Sequence, residues 1–179
     1  MTVKEFFKSK TLRCIVVLLC IALISGGLLA VCNDLLSVSA EERVQRTIKG
    51  IYGKTVGYQE IATDYQSEVG TVDSVYLLED GNYLVRATGL KGYKQGSVSV
   101  WCVAYFENGS FKGLGSVSIA AYDKQTLMSK WTGSVLAGYQ GKETFDVNVS
   151  GATYSSTAIN NALNTVLGYV GTLTEVQHD

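Results

Sequence analysis

The stretch Ser150-Gly151-Ala152-Thr153-Tyr154-Ser155-Ser156 gathers side chains that could do chemistry. Four aliphatic hydroxyls and a glycine stand directly before a helix-spaced apolar run. At a helix N-terminus the first-turn N–H groups are unpaired and the dipole favours negative charge. Such a place accepts phosphate. Gly151 lets the backbone approach a ligand closely, and Ala152 leaves that approach open. The same residues also suit a plain helix cap, because serine and threonine are preferred there for their own sake. Spacing alone leaves both readings open. A threonine hydroxyl is a weak nucleophile without a general base, and the only histidine, His178, lies next to the C-terminus. Covalent chemistry on these hydroxyls would therefore fit an outside enzyme better than self-modification.

The elements that must position this stretch can be read from periodicity. Val72 to Leu78 and Tyr83 to Ala87 are β-rich runs joined by Glu79-Asp80-Gly81-Asn82. Ser97 to Phe106 and Phe111 to Ala121 form a second pair across Asn108-Gly109, a tight-turn signal. Val98, Val100, Cys102, Ala104 and Phe106 alternate along one buried face. Asp123 to Tyr139 is expected to be helical, with Leu127, Trp131, Val135 and Leu136 on one side. Ser156 to Val170 carries a clear apolar stripe of Ile159, Ala162, Leu163, Val166, Leu167 and Val170. Strands followed by helices predict an α+β domain built on an antiparallel sheet.

Ahead of that domain, Cys14 to Cys32 runs nineteen residues without a charge. As a helix this is long enough to cross a bilayer. Lys4, Lys8, Lys10 and Arg13 precede it against Glu5 alone, which predicts a cytoplasmic N-terminus and an extracytoplasmic domain. A cleavable signal peptide would have a shorter apolar core and a small-residue cleavage site. A lipoprotein signal would not place Val31 before Cys32. The reading divides the chain into a cytoplasmic N-terminus (1–13), a transmembrane helix (14–32), a juxtamembrane helix and spacer (33–70) and an outer domain (71–179). Ser39 and Glu42 fit a capping box at the head of the juxtamembrane helix. After the apolar run the charge is mildly acidic, which excludes a nucleic-acid partner. Cys102 stands alone in the outer domain, too isolated for a disulfide or metal cluster there, and reads as a buried thiol.

Ser150-Gly151-Ala152-Thr153 resembles the S/T-G-A-T signature of FMN-binding domains in the G subunit of the Rnf electron-transport complex. It is similar also to the C subunit of the sodium-translocating NADH:quinone oxidoreductase. The single N-terminal span, Lys91-Gly92-Tyr93 with Gly96, the strand pair after it and the run from Gly141-Lys142 to Ala162 follow the Rnf subunit in order and spacing. The resemblance implies FMN joined through its phosphate to the Thr153 hydroxyl by a separate flavin transferase. Ser150, Gly151 and Ala152 would shape the loop, Ser155 and Ser156 would add phosphate contacts, and Thr126 and Leu127 would contact the ring. Two positions depart from the family pattern. Val147 stands where the family has an aspartate, with Asp146 one residue earlier, and Gln125-Thr126-Leu127 replaces a stretch containing proline and glycines.

The implied function is electron relay within a membrane-bound, ion-translocating ferredoxin:NAD oxidoreductase, among other membrane subunits and with no independent catalytic activity. A stand-alone tethered flavin shuttle and a non-redox extracytoplasmic binding module are the alternatives. Tyr139, Tyr154, Tyr169 and Trp131 are candidates for stacking on a flavin ring, and Lys142 for neutralising its phosphate.

Overall fold

The computed structural model describes residues 10–36, 39–126, 128–141 and 144–176. Leu127, Lys142 and His178 lie outside the described residues. The chain divides into two compact units, Met1–Arg46 and Thr47–Asp179.

In the first unit, helix α1 (Lys10–Leu36) contains a stretch, Arg13–Asn33, long and apolar enough to cross a membrane. None of that stretch is buried against protein. A helix apolar on every side with no packing partner is the pattern of a membrane span. Helix α2 (Ala40–Tyr52) starts beyond it. The Glu42 amide donates to Ser39 Oγ at 3.1 Å, which is half of the expected capping box. The Glu42 carboxylate turns instead to Arg46, 2.7 Å away and one turn on. Gly53, with φ +68°, closes the helix through its N–H to the Lys49 carbonyl.

The second unit is α+β. Its antiparallel sheet runs in the order β1 (Tyr58–Ile61), β2 (Gly70–Leu78), β3 (Tyr83–Gly89), β4 (Val98–Glu107), β5 (Ser110–Tyr122). Each strand therefore pairs with the next in sequence, a meander. The β4–β5 turn places Asn108 at φ +52° and Gly109 at φ +76°. Both signs are those a right-twisted hairpin requires, which explains the Asn-Gly pair. Strand β1 lies in the segment expected to be spacer, and the compact unit opens at Thr47.

One face of the sheet is covered by the long helix α4 (Thr153–Val176), chiefly over β3, β4 and β2. Val75, Val85, Ala87, Val98, Val100, Cys102 and Ala104 meet Ala158, Ile159, Ala162, Leu163 and Val166 in one core. Contact is close because Gly89 sits under the helix. A Cβ there would lie 1.9 Å from the Ala158 carbonyl oxygen. Ile48, Val56, Leu78, Leu84 and Val103 are buried outside that core.

The helix expected over Asp123 to Tyr139 does not form. Among its described residues that segment holds only a 3-10 turn (Met128–Lys130) and a five-residue helix α3 (Gly133–Ala137) bounded by glycines. Its apolar residues are real core residues, but Trp131 and Tyr139 reach the core from irregular backbone. Gly133 and Gly138 deprive a longer helix of propensity where it would need it.

Cys102 is fully buried and desolvation pushes its thiol up to about 12 from the ordinary 9.0. Tyr139, also fully buried, is pushed by the same cause from 10.0 to about 12. The folded chain holds both protons longer than the unfolded chain. Neither group makes stability pH-dependent below about pH 9, and stability falls as pH climbs from there toward 12. Denaturant midpoints measured against pH should show that alkaline decline. Alkylation of the native full chain at neutral pH, read by peptide mapping, should leave Cys102 unlabelled until the chain is unfolded.

Candidate cofactor site

Three segments meet at the N-terminal end of α4. The first is the extended run 145–149, in which Phe145, Val147 and Val149 pack inward while Asp146 and Asn148 face solvent. Side chains one helical turn apart on α4 hold its backbone. Ser156 Oγ accepts the Val149 N–H at 2.9 Å. Asn160 Nδ2 donates to the Val147 carbonyl at 2.8 Å. Asn164 accepts from the Phe145 N–H and donates to the Phe145 carbonyl, both at 2.9 Å. Positions i, i+4 and i+8 of one helix stripe thus bind every second residue of an extended chain.

This ladder feeds a turn in which the Ala152 N–H donates to the Val149 carbonyl at 2.8 Å. Gly151 sits there at φ +73°, a conformation that other residues adopt only under strain. The Ala152 carbonyl then accepts the first helical bond, from the Ser156 N–H at 2.9 Å. Ala152 is therefore the cap residue of α4, and it has no side-chain oxygen with which to cap. The backbone N–H groups of Thr153, Tyr154 and Ser155 have no hydrogen-bond acceptor among the described residues.

The nearby hydroxyls are not spent on capping either. Ser155 Oγ donates to Gln125 Oε1 at 2.7 Å. Ser156 Oγ donates to the Ala152 carbonyl at 3.1 Å while serving the ladder. The Thr153 side chain is exposed, and its hydroxyl has no partner among the described residues.

The second segment is the β3–β4 loop with Tyr93, and the third runs from Asp123 to Thr132. Buried Gln125 ties them to the helix. Its Oε1 accepts from Ser155 Oγ and from the Tyr93 N–H at 3.2 Å, and its Nε2 donates to the Asp123 carbonyl at 2.7 Å. Gly92 and Gly96 make room for it. A Cβ on Gly92 would come within 2.8 Å of Gln125 Nε2, and one on Gly96 within 2.3 Å of the Asp123 carbonyl oxygen. Lys130 reaches across to the loop before α4, its Nζ donating to the Ser150 carbonyl at 2.9 Å.

Together these segments line an open cleft of about 140 Å³, formed by Tyr93, Thr126, Gly151, Ala152, Thr153, Tyr154 and Ser155. Six residues singled out from the sequence are thereby brought together: Thr126, Gly151, Ala152, Thr153, Tyr154 and Ser155. Ser150 contributes its carbonyl to Lys130 and does not line the cleft. Ser156 is buried in the ladder. Leu127 lies outside the described residues. Among the stacking candidates only Tyr154 faces the cleft, whereas Trp131, Tyr139 and Tyr169 belong to the core.

No family model, curated protein or solved structure matches the chain. What the cleft can hold is decided by its own residues. Three unpaired N–H groups at the head of a 24-residue helix present partial positive charge. Beside them, the loops 90–97 and 123–132 carry Lys91, Lys94, Lys124 and Lys130 against Asp123 alone. A local lysine excess on an otherwise mildly acidic unit suits an anion. A Cβ on Gly151 would have only Lys130 Nζ near it, at 2.8 Å, and it is the φ of +73° that a side chain there would strain.

The same two loops hold four of the six non-glycine residues found at positive φ among the described residues: Lys91, Lys94, Gln95 and Lys124. Such backbone costs of order 1–3 kcal/mol per residue and concentrates where a ligand must be met. Tyr93, Gln125 and Lys130 were not singled out as site residues from the sequence. They lie 20 to 60 residues from the motif, beyond the reach of any periodic signal. The glycines flanking Tyr93 were the one available hint.

Proposed function

We propose that the chain is a membrane-anchored flavoprotein carrying FMN as a phosphoester of Thr153, and that it relays electrons within an ion-translocating ferredoxin:NAD oxidoreductase complex. The observation that carries this reading is the free Thr153 hydroxyl at the head of a helix whose first three N–H groups are uncapped. A helix-cap role would spend the hydroxyls on those amides; Ser155 and Ser156 spend theirs elsewhere, and Thr153 bonds no described partner. The resemblance of Ser150 to Thr153 to the S/T-G-A-T signature supplies the identity of the anion.

Each residue then has a task. The N–H groups of Thr153, Tyr154 and Ser155 and the Lys130 ammonium would offset the phosphate charge. Gly151 would keep the approach open, and Gln125 would hold Tyr93 and Ser155 in place around it. Bound FMN would supply one- and two-electron transfer, and the protein would supply position and electrostatics. Ester formation needs an activated phosphate. A flavin transferase would take FAD, break its pyrophosphate bond and release AMP as the new P–O bond forms to Thr153 Oγ1. The hydroxyl proton would pass to a base of that enzyme, since the chain offers none at the site. Asp146 is exposed while Val147 packs inward, so the carboxylate stays within reach of an outside enzyme.

Arg13–Asn33 supports the anchor, and the preceding basic residues support a cytoplasmic N-terminus with the flavin domain outside. Mild detergent extraction of native membranes tests the assignment. A yellow chain co-purifying with several polytopic proteins is expected. A yellow chain purified alone would favour the tethered shuttle, and a colourless one the non-redox module.

A further inference from the structure

We infer that Tyr93 and Tyr154 form the two walls of the seat for the flavin ring system, one wall fixed and one movable. The inference rests on the flavin reading of Thr153 given above. Apart from the apolar stretch of α1, the exposed large hydrophobic side chains among the described residues are Leu90, Tyr93, Tyr122 and Tyr154. Leu90 and Tyr93 follow β3, Tyr122 ends β5 and Tyr154 begins α4, so all four gather near one end of the sheet. Only Tyr93 and Tyr154 line the cleft that holds Thr153.

The two walls are held differently. Tyr93 is fixed through its backbone, which gives its N–H to buried Gln125, and Gln125 in turn grips Ser155 of the first turn of α4. The flanking glycines admit no Cβ without backbone or amide overlap. Tyr154 is 64% exposed and makes no hydrogen bond through its hydroxyl among the described residues. Its ring can turn about χ1 at little cost.

The ring centroids stand 6.3 Å apart at 59°. A planar aromatic placed between two parallel rings needs about 7 Å, two contacts of about 3.5 Å each. A small swing of Tyr154 closes that difference and brings the rings toward parallel. Tyr154 directly follows Thr153, so a group tethered at Thr153 begins beside this wall. A planar aromatic tethered at Thr153 would take the place of the tilted contact between the two rings.

The test uses the full chain loaded by a flavin transferase, as wild type and as Tyr93→Leu, Tyr154→Leu, the double variant and Tyr122→Leu. Intact mass establishes loading, and flavin fluorescence at equal loading reads stacking, because an adjacent tyrosine ring quenches it. Tyr154→Leu alters only an exposed side chain and is the variant least able to disturb folding. Equal flavin mass in all chains is expected, with fluorescence rising several-fold in the double variant, partly in each single one, and unchanged in Tyr122→Leu. Loaded variants with wild-type fluorescence, or an equal rise in Tyr122→Leu, would overturn the stacking inference alone. A wild-type chain without flavin on its Thr153 peptide would overturn the flavin reading as well.

Discussion

A Thr153→Val chain is expected to fold normally and to carry no covalent flavin after co-expression with a flavin transferase. Valine keeps the β-branched shape and removes only the hydroxyl. Thr153 is exposed and its hydroxyl is unpartnered, so nothing folded is lost with it. Stability should therefore stay within about 0.5 kcal/mol of wild type, as for other surface substitutions. Loading should fall to background, because no other aliphatic hydroxyl in the motif is both free and in the cleft. Ser155 and Ser156 are buried and hydrogen-bonded, and Ser150 does not line it. Thr153→Ser should still be loaded. In-gel flavin fluorescence with a melting curve reads both effects. Flavin retained on Thr153→Val would move the attachment elsewhere.

Gly89→Ala should be the most damaging single methyl in the second unit. Its Cβ would lie 1.9 Å from the Ala158 carbonyl oxygen and 2.4 Å from the Ala162 nitrogen. Both atoms are helix backbone, so no side chain can swing aside. Helix α4 would have to lift from β3, opening the core formed by Val85, Ala87, Ile159 and Ala162. Overpacking costs about 1–3 kcal/mol where side chains can adjust. With backbone on both sides the expected loss is at the top of that range, about 3 kcal/mol, visible as a lowered denaturation midpoint. Gly171→Ala, in the same helix with open space around it, should instead gain up to about 1 kcal/mol from helix propensity. The opposite signs separate packing from propensity. Lifting α4 would also part Ser155 from Gln125, so the site should loosen with the core.

How much of this was legible in the sequence depends on the kind of signal. The strands β2 to β5 and the helix α4 lie close to where alternation and 3.6-residue periodicity put them, because each buries one continuous face. The edge strand β1 escaped notice, since Tyr58-Gln59-Glu60-Ile61 is short and polar at its centre. The segment from Asp123 to Tyr139 misled for a physical reason. Leu127, Trp131 and Val135 have helical spacing, yet irregular backbone delivers Trp131 and Tyr139 to the core just as well.

The site divides the same way. The motif itself was visible, but its geometry was not. A hydroxyl cap was a live expectation, and the structure caps α4 with Ala152. The family resemblance implied a phosphate contact for Ser156, whose hydroxyl serves instead as a rung holding Val149. Gln125 and Lys130 reach the motif only through tertiary folding.

The central claim is the Thr153 phosphoester, and the most direct measurement is the intact mass of the full chain co-expressed with a flavin transferase, followed by peptide mapping. The account predicts a gain of one FMN less one water, located on the peptide that contains Thr153. An unmodified mass, or the same gain on a different peptide, would contradict it.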